Sequence, residues 1–342
     1  MNKSKIKKRI DWIDVAKALA IILVVFGHAS KKTSWVQPDF IVYTIYSFHM
    51  ALFFVLSGWT FKYKENLAEI QSTCCIKVKR LGGGYLLYGG LNLIYNIAVR
   101  IFNHTAISGE EIIGTLLLTK QSIISEIWFL PTLLLSEILV MYIWYFMRSL
   151  NRTMFCLAIV TAVGIWINDI VNVQLPFNLY CVPMASLCIG FGIELRQWAA
   201  RRVNSLNSVK IIILAGSVLI AGNWINLKVL GSPEVAFWCA NYGNIIMFFV
   251  NAISGILLVI GISKIISNCR LLQQIGRRTL EIYGCHYIVL SIAIKIANRL
   301  QLQNLFLSFI FLVVLSFVIA FSITRVSEFA AVFLENRKKL IK

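Results

Sequence analysis

The sequence predicts an all-α fold, a polytopic membrane helix bundle of about ten transmembrane helices with both termini cytoplasmic. Three observations predict it. Of 342 residues, 58% are hydrophobic and only 14% charged, with a mean hydropathy of +0.77, whereas soluble domains run near ~45–50% apolar and ~25% charged. The apolar residues come in runs long enough to cross a hydrocarbon core, which takes about 20 residues of helix. Lysines and arginines fall in short clusters between those runs and alternate with connections nearly free of them, which is the positive-inside pattern.

In chain order the runs lie at about 12–30, 40–61, 81–101, 126–147, 153–171, 179–195, 211–230, 243–263, 280–298 and 305–324. With the N-terminus inside, the cytoplasmic segments hold 25 of the 33 lysines and arginines, and the outer segments together with the outer ends of the adjoining spans hold 7. Lys17, within the first span, completes the set. That imbalance sets the orientation. It also explains the net charge of +18 without nucleic acid, because a nucleic-acid binder concentrates charge on one folded face. The lipid bilayer is the expected partner. Residues 1–342 read as a single membrane domain, with a basic cytoplasmic N-terminus over 1–11, a basic cytoplasmic tail over 326–342 and no extra soluble domain. The basic stretch Lys3 to Arg9 resembles a signal-peptide n-region, but Asp14 and Lys17 interrupt the apolar run that follows, so the first span is expected to be retained. The segment 102–125, with Glu110 and Glu111, reads as a short amphipathic connection. Helix breakers inside spans are few, chiefly Pro131 and Pro183, whereas secondary transporters commonly carry paired interrupted helices. The eight cysteines lack metal-ligand spacing, and no metal site is expected.

Ionisable residues at membrane depth are costly and mark candidate functional sites. The first span carries Asp14, Lys17 and His28. At about 100° per residue, Lys17 and His28 lie about 20° apart around the helix and about 16 Å apart along it. Asp14 is one turn from Lys17, close enough to pair with it. The second span carries His49 in its outer half, at a depth matching His28, and then Ser57 and Gly58, small residues that permit close helix packing. Beyond it, Lys77, Lys79 and Arg80 precede Gly82, Gly83 and Gly84. Basic side chains meet phosphates and glycines let backbone N–H groups approach an anion, although the positive-inside rule alone also predicts such a cluster. Arg277 and Arg278 carry the same double reading.

The segment DWIDVAKALAIILVVFGH, residues 11–28, resembles the opening signature of the acyltransferase family 3 membrane proteins: an acidic residue, then a basic residue separated by ten positions from a histidine. FHMALFFVLSGW, residues 48–59, resembles that family's second-span element. Trp128-Phe129-Leu130 resembles a mid-chain element. Ile275-Gly276, Leu280 to Tyr283 and His286 resemble a late element ending in tyrosine and histidine. The resemblance implies transfer of an acyl group, usually acetyl from cytoplasmic acetyl-CoA, to a hydroxyl of a bacterial surface polysaccharide or its lipid-linked precursor, in the bacterial inner membrane. Acetyl-CoA would then be a donor substrate, with no permanently bound cofactor, and the glycan or lipid-linked sugar the second partner. His28 and His49 are the candidate catalytic residues, His28 as general base or transient acyl carrier. Lys17, Lys77, Lys79 and Arg80 are the candidate coenzyme-binding residues. Asp14, Ser57, Gly58, Trp128 and His286 are supporting candidates. A transporter or flippase of lipid-linked sugar, or a transferase of another acyl group such as succinyl, is the alternative.

Overall fold

The computed structural model describes residues 10–32, 39–117, 122–171, 175–201 and 209–299. These are helical, with no strand among the described residues and one isolated bridge between Ala236 and Asn241. The long helices are α1 (Asp11–Lys32), α5 (Gly83–Phe102), α7 (Phe129–Met147), α8 (Leu150–Val171), α9 (Val182–Arg201), α10 (Val209–Trp224), α11 (Ile245–Ile265) and α13 (Thr279–Arg299). The shorter ones are α2 (Asp39–Tyr46), α3 (His49–Trp59), α4 (Leu67–Lys77), α6 (Gly109–Leu117) and α12 (Arg270–Arg277).

α1 is the axis of the bundle. Asp11 and Asp14 in its first turn and Lys31 and Lys32 in its last suit the helix dipole at both ends. Its alanines Ala16, Ala18 and Ala20 are fully buried and let α3, α11, α12 and α13 pack closely around it. α8 and α10 lie at the periphery. They turn Phe155, Trp166, Ile213 and Leu214 outward, an apolar surface that a hydrocarbon solvent covers at no cost.

Eight segments among the described residues are long and apolar enough to span a membrane, against ten runs in the sequence. Two differences account for this. The run at 81–101 forms α5, but its tyrosines and glycines together with Asn92, Asn96 and Arg100 dilute its apolar character below that of the other eight. The run at 305–324 lies outside the described residues, as does the tail 326–342. The described chain is that of a multi-pass membrane protein.

The second span is interrupted at Ser47–Phe48, where neither proline nor glycine occurs. Ser47 Oγ donates back to the Thr44 carbonyl at 2.7 Å, a local bond that competes with the helix ladder. The Phe48 ring lies on Gly255 of α11, so close that a Cβ there would stand 2.2 Å from it. Pro131 and Pro183, the expected breakers, instead occupy the first turns of α7 and α9, where a missing N–H costs little.

Glycines set two further contacts. Gly58 of α3 and Gly192 of α9 face each other's backbones: a Cβ on Gly58 would lie 1.9 Å from the Ile189 carbonyl oxygen, and one on Gly192 would lie 2.1 Å from that of Val55. Gly276 of α12 sits against the Asp14 carbonyl in the same way.

Residues 67–102 form one continuous rod. α4, capped by the Asn66 side chain accepting from the Glu69 N–H, passes through a π-helical turn at Val78–Gly82 into α5. This corrects the expected glycine cradle. Gly82 and Gly83 have ordinary helical dihedrals, and the Gly83 N–H is spent on the carbonyls of Lys79 and Arg80.

α6 opens with a reciprocal capping box, in which the Glu111 N–H donates to Ser108 Oγ and the Ser108 N–H to Glu111 Oε2. The Arg100 guanidinium also grips Glu111, and these bonds hold its carboxyl below the usual carboxylate range. A depressed folded value stabilises above the ordinary carboxylate pKa of about 4.3 and is lost as pH falls through the folded value. Melting of the solubilised protein should therefore lose stability on acidification more steeply in wild type than in Glu111→Gln. Parallel profiles would refute the assignment.

Candidate functional site

A cavity of about 220 Å3 opens between α1, α3, α7, α13 and the π turn. Its polar lining includes Lys17, Ser57, Lys77, Arg80, Glu137 and Thr279, and its apolar lining includes Val24, Met50, Phe53 and Phe129. Four sequence candidates thus meet here, namely Lys17, Ser57, Lys77 and Arg80. Lys79 does not join them; it is exposed and absent from the lining, because two residues along a helix turn it about 200° away from Lys77.

Glu137, which the sequence reading passed over, organises the polar end. It is buried on α7. One carboxylate oxygen accepts from Ser57 Oγ and the other from Lys77 Nζ at 2.7 Å. Asp14 of α1 accepts from Arg277 Nε at 3.2 Å. Arg277 therefore tethers α12 to α1, a role beyond positive-inside charge.

Toward the other end of α1 lies a second cluster. The ring centroids of His28 and His286 are 5.1 Å apart, and the rings of Tyr46 and Tyr287 flank His28 at 6.3 and 6.1 Å. His49 reaches the cluster through Tyr46, whose ring lies 4.9 Å from it, and its Nδ1 faces the Ile45 carbonyl at 2.8 Å. His286 Nδ1 faces the Tyr283 carbonyl at 2.6 Å. That carbonyl assigns the ring proton to Nδ1 and leaves a lone pair on Nε2. His286, a supporting candidate from sequence, is thus the histidine in ring contact with His28. Two lysines cap the group: Lys31 lies over the Tyr46 ring and pairs with Glu234. Lys32 lies 3.2 Å from the Tyr287 ring centroid and donates to Ser291 Oγ.

Tyr283 separates cavity from cluster. It lines the cavity and stacks on His286 with ring centroids 5.6 Å apart. Its hydroxyl donates to the Glu126 carbonyl at 2.6 Å and accepts from the Phe129 N–H at 3.1 Å. Asn92 of α5 fixes the same stretch of α13 by donating to the Gly284 carbonyl at 2.8 Å. Trp128, at the head of α7, stacks on Phe237 with centroids 5.9 Å apart, so one of its faces is taken by protein.

No match is found among curated proteins or among solved structures. The sequence does match the acyltransferase domain family (acyltransferase family 3) over residues 10–325, a stretch that contains both the cavity and the histidine cluster. A match over nearly the whole chain decides the kinship: the protein belongs to this family and is a multi-pass membrane acyltransferase.

Proposed function

We propose that the protein transfers acetyl from cytoplasmic acetyl-CoA to a hydroxyl of a surface polysaccharide, or of its lipid-linked precursor, in the inner membrane of a bacterium. One observation carries this reading. A cavity with cationic groups at one end and a cluster of imidazoles beyond its other end share Tyr283 as a common wall. The donor is a polyanion with a long uncharged arm ending in a thioester. Its phosphates suit the end bearing Lys17 and Arg80. The apolar lining of Val24, Met50 and Phe129 suits the arm. Val24 stands four residues before His28, about 6 Å along the helix, so a thioester at the inner end lies within reach of the imidazole after a modest shift of Tyr283.

The chemistry then follows. His28 accepts the proton of the acceptor hydroxyl as its oxygen attacks the thioester carbonyl carbon. The new C–O bond forms and the C–S bond breaks. His28 then returns the proton to the departing thiolate, which leaves as the free thiol of coenzyme A. Because burial away from water strengthens each hydrogen bond in the site, the imidazole acts without competition from bulk solvent. Glu137 neutralises Lys77, which lowers the positive charge at the donor's end and holds Ser57 in place.

Mass spectrometry of the surface polysaccharide, from cells with and without the gene, tests the reading. Acetyl esters should be present only with the gene, and acetyl-CoA should outcompete succinyl-CoA for the purified protein. An identical polysaccharide in both cells, or preference for succinyl-CoA, would overturn the proposed acceptor or the proposed donor respectively.

A further inference from the structure

Two buried polar atoms beside His28 have no hydrogen-bond partner among the described residues: His286 Nε2 and Glu126 Oε2. Buried polar atoms in folded proteins are nearly always partnered, so each exception calls for a reason. His286 is 1% exposed, and with its Nδ1 proton given to Tyr283 its Nε2 can only accept. Glu126 interacts with the Tyr287 hydroxyl and with Lys32, which leaves Oε2 over.

The two atoms adjoin one cluster of side chains. Tyr283, His286 and Tyr287 stand three and four residues apart and so share a face of α13. That face meets His28 of α1, with the Tyr287 ring 6.1 Å from His28 and 6.2 Å from His286. Glu126 adjoins the same face through the Tyr283 hydroxyl and Tyr287. Lys32 is engaged by Ser291 and the Tyr287 ring, so the cluster offers acceptors more than a charge for an anion. An aromatic wall with convergent hydrogen-bond acceptors fits a polyol.

We propose that this cluster forms the acceptor subsite. Two hydroxyls of the acceptor sugar, neighbours of the one that reacts, donate to His286 Nε2 and Glu126 Oε2 and so present the third hydroxyl to His28. This rests on the reading of the protein as a glycan acetyltransferase and adds which hydroxyl pattern it selects. His286 and Glu126 are then specificity-determining residues, and a sugar lacking either neighbouring hydroxyl is rejected because it leaves a buried acceptor unpaired.

The test uses membranes carrying the full chain, radiolabelled acetyl-CoA as donor and surface glycan isolated from cells lacking the gene as acceptor. His286→Ala and Glu126→Gln should each raise the apparent KM for glycan roughly tenfold or more. The affinity for acetyl-CoA should stay within about twofold, since the donor lies across the Tyr283 wall. His286→Gln, which keeps an acceptor near the Nε2 position, should recover most of the glycan affinity. An unchanged glycan KM in both variants would overturn the proposal. So would an equal loss in His286→Ala and His286→Gln accompanied by weaker acetyl-CoA binding, which would mark a packing defect. If wild type itself transfers no label to glycan, the failure lies with the proposed function instead.

Discussion

Gly58→Ala should leave little folded protein in the membrane. The added Cβ would meet the Ile189 carbonyl oxygen at 1.9 Å. Backbone on a packed helix cannot swing aside as a side-chain tip can, so α3 and α9 must separate along their shared face. Overpacking of this kind costs ~1–3 kcal/mol or more, and helices in a membrane depend on close approach for their association. Gly192→Ala should behave alike, because its Cβ would meet the Val55 carbonyl oxygen at 2.1 Å. Gly83→Ala is the contrast. Nothing lies within 4 Å of its Cβ and its dihedrals are helical, so the change should be neutral or stabilising by about 0.5–1 kcal/mol. Monodisperse yield and melting temperature of the solubilised protein read all three. A Gly58→Ala protein that melts with wild type would disprove the close contact.

The second large effect is expected at Glu137. Removing its carboxylate in Glu137→Ala strands Lys77 and Ser57 together. Lys77 keeps 28% of its side chain exposed, so the cost falls below that of a fully buried pair, at roughly 2–3 kcal/mol. Adding Lys77→Met should restore part of the lost melting temperature, because replacing both partners with apolar groups removes the unpaired charge. Additive losses in the double variant would show that the two groups do not act as a pair.

Most of the helix positions were legible because hydropathy alone marks a segment that must satisfy its own backbone in lipid. Lys17 and His28 stood out for the complementary reason, as polar groups where polarity is costly. The same rule should have flagged Glu137, a lone carboxylate in the apolar run 129–147; it went unread because the run as a whole passed as a span. Other features have no local signal. The break before His49 comes from Phe48 meeting Gly255, a contact between residues far apart in the chain. The exclusion of Lys79 from the cavity is the exception, since ordinary helical spacing already sets it about 200° from Lys77. Depth places His49 near His28, and the two rings meet through Tyr46; what spacing cannot show is that α13 brings His286, 258 positions away, into ring contact with His28. Glu126 lies at a helix boundary, where a carboxylate is unremarkable until its partners are known.

The division of labour along α1, donor at Lys17 and chemistry at His28, is tested most directly by one paired measurement on His28→Ala and Lys17→Gln in membranes. Acetyl-CoA affinity and transfer of labelled acetyl to glycan are read from the same preparation. If the two residues serve separate steps, His28→Ala binds acetyl-CoA as wild type does and loses transfer by about 10²–10⁴-fold, whereas Lys17→Gln weakens acetyl-CoA binding and regains transfer at high donor concentration. Labelled glycan at the wild-type rate from His28→Ala, in protein shown to be folded and inserted, would contradict it.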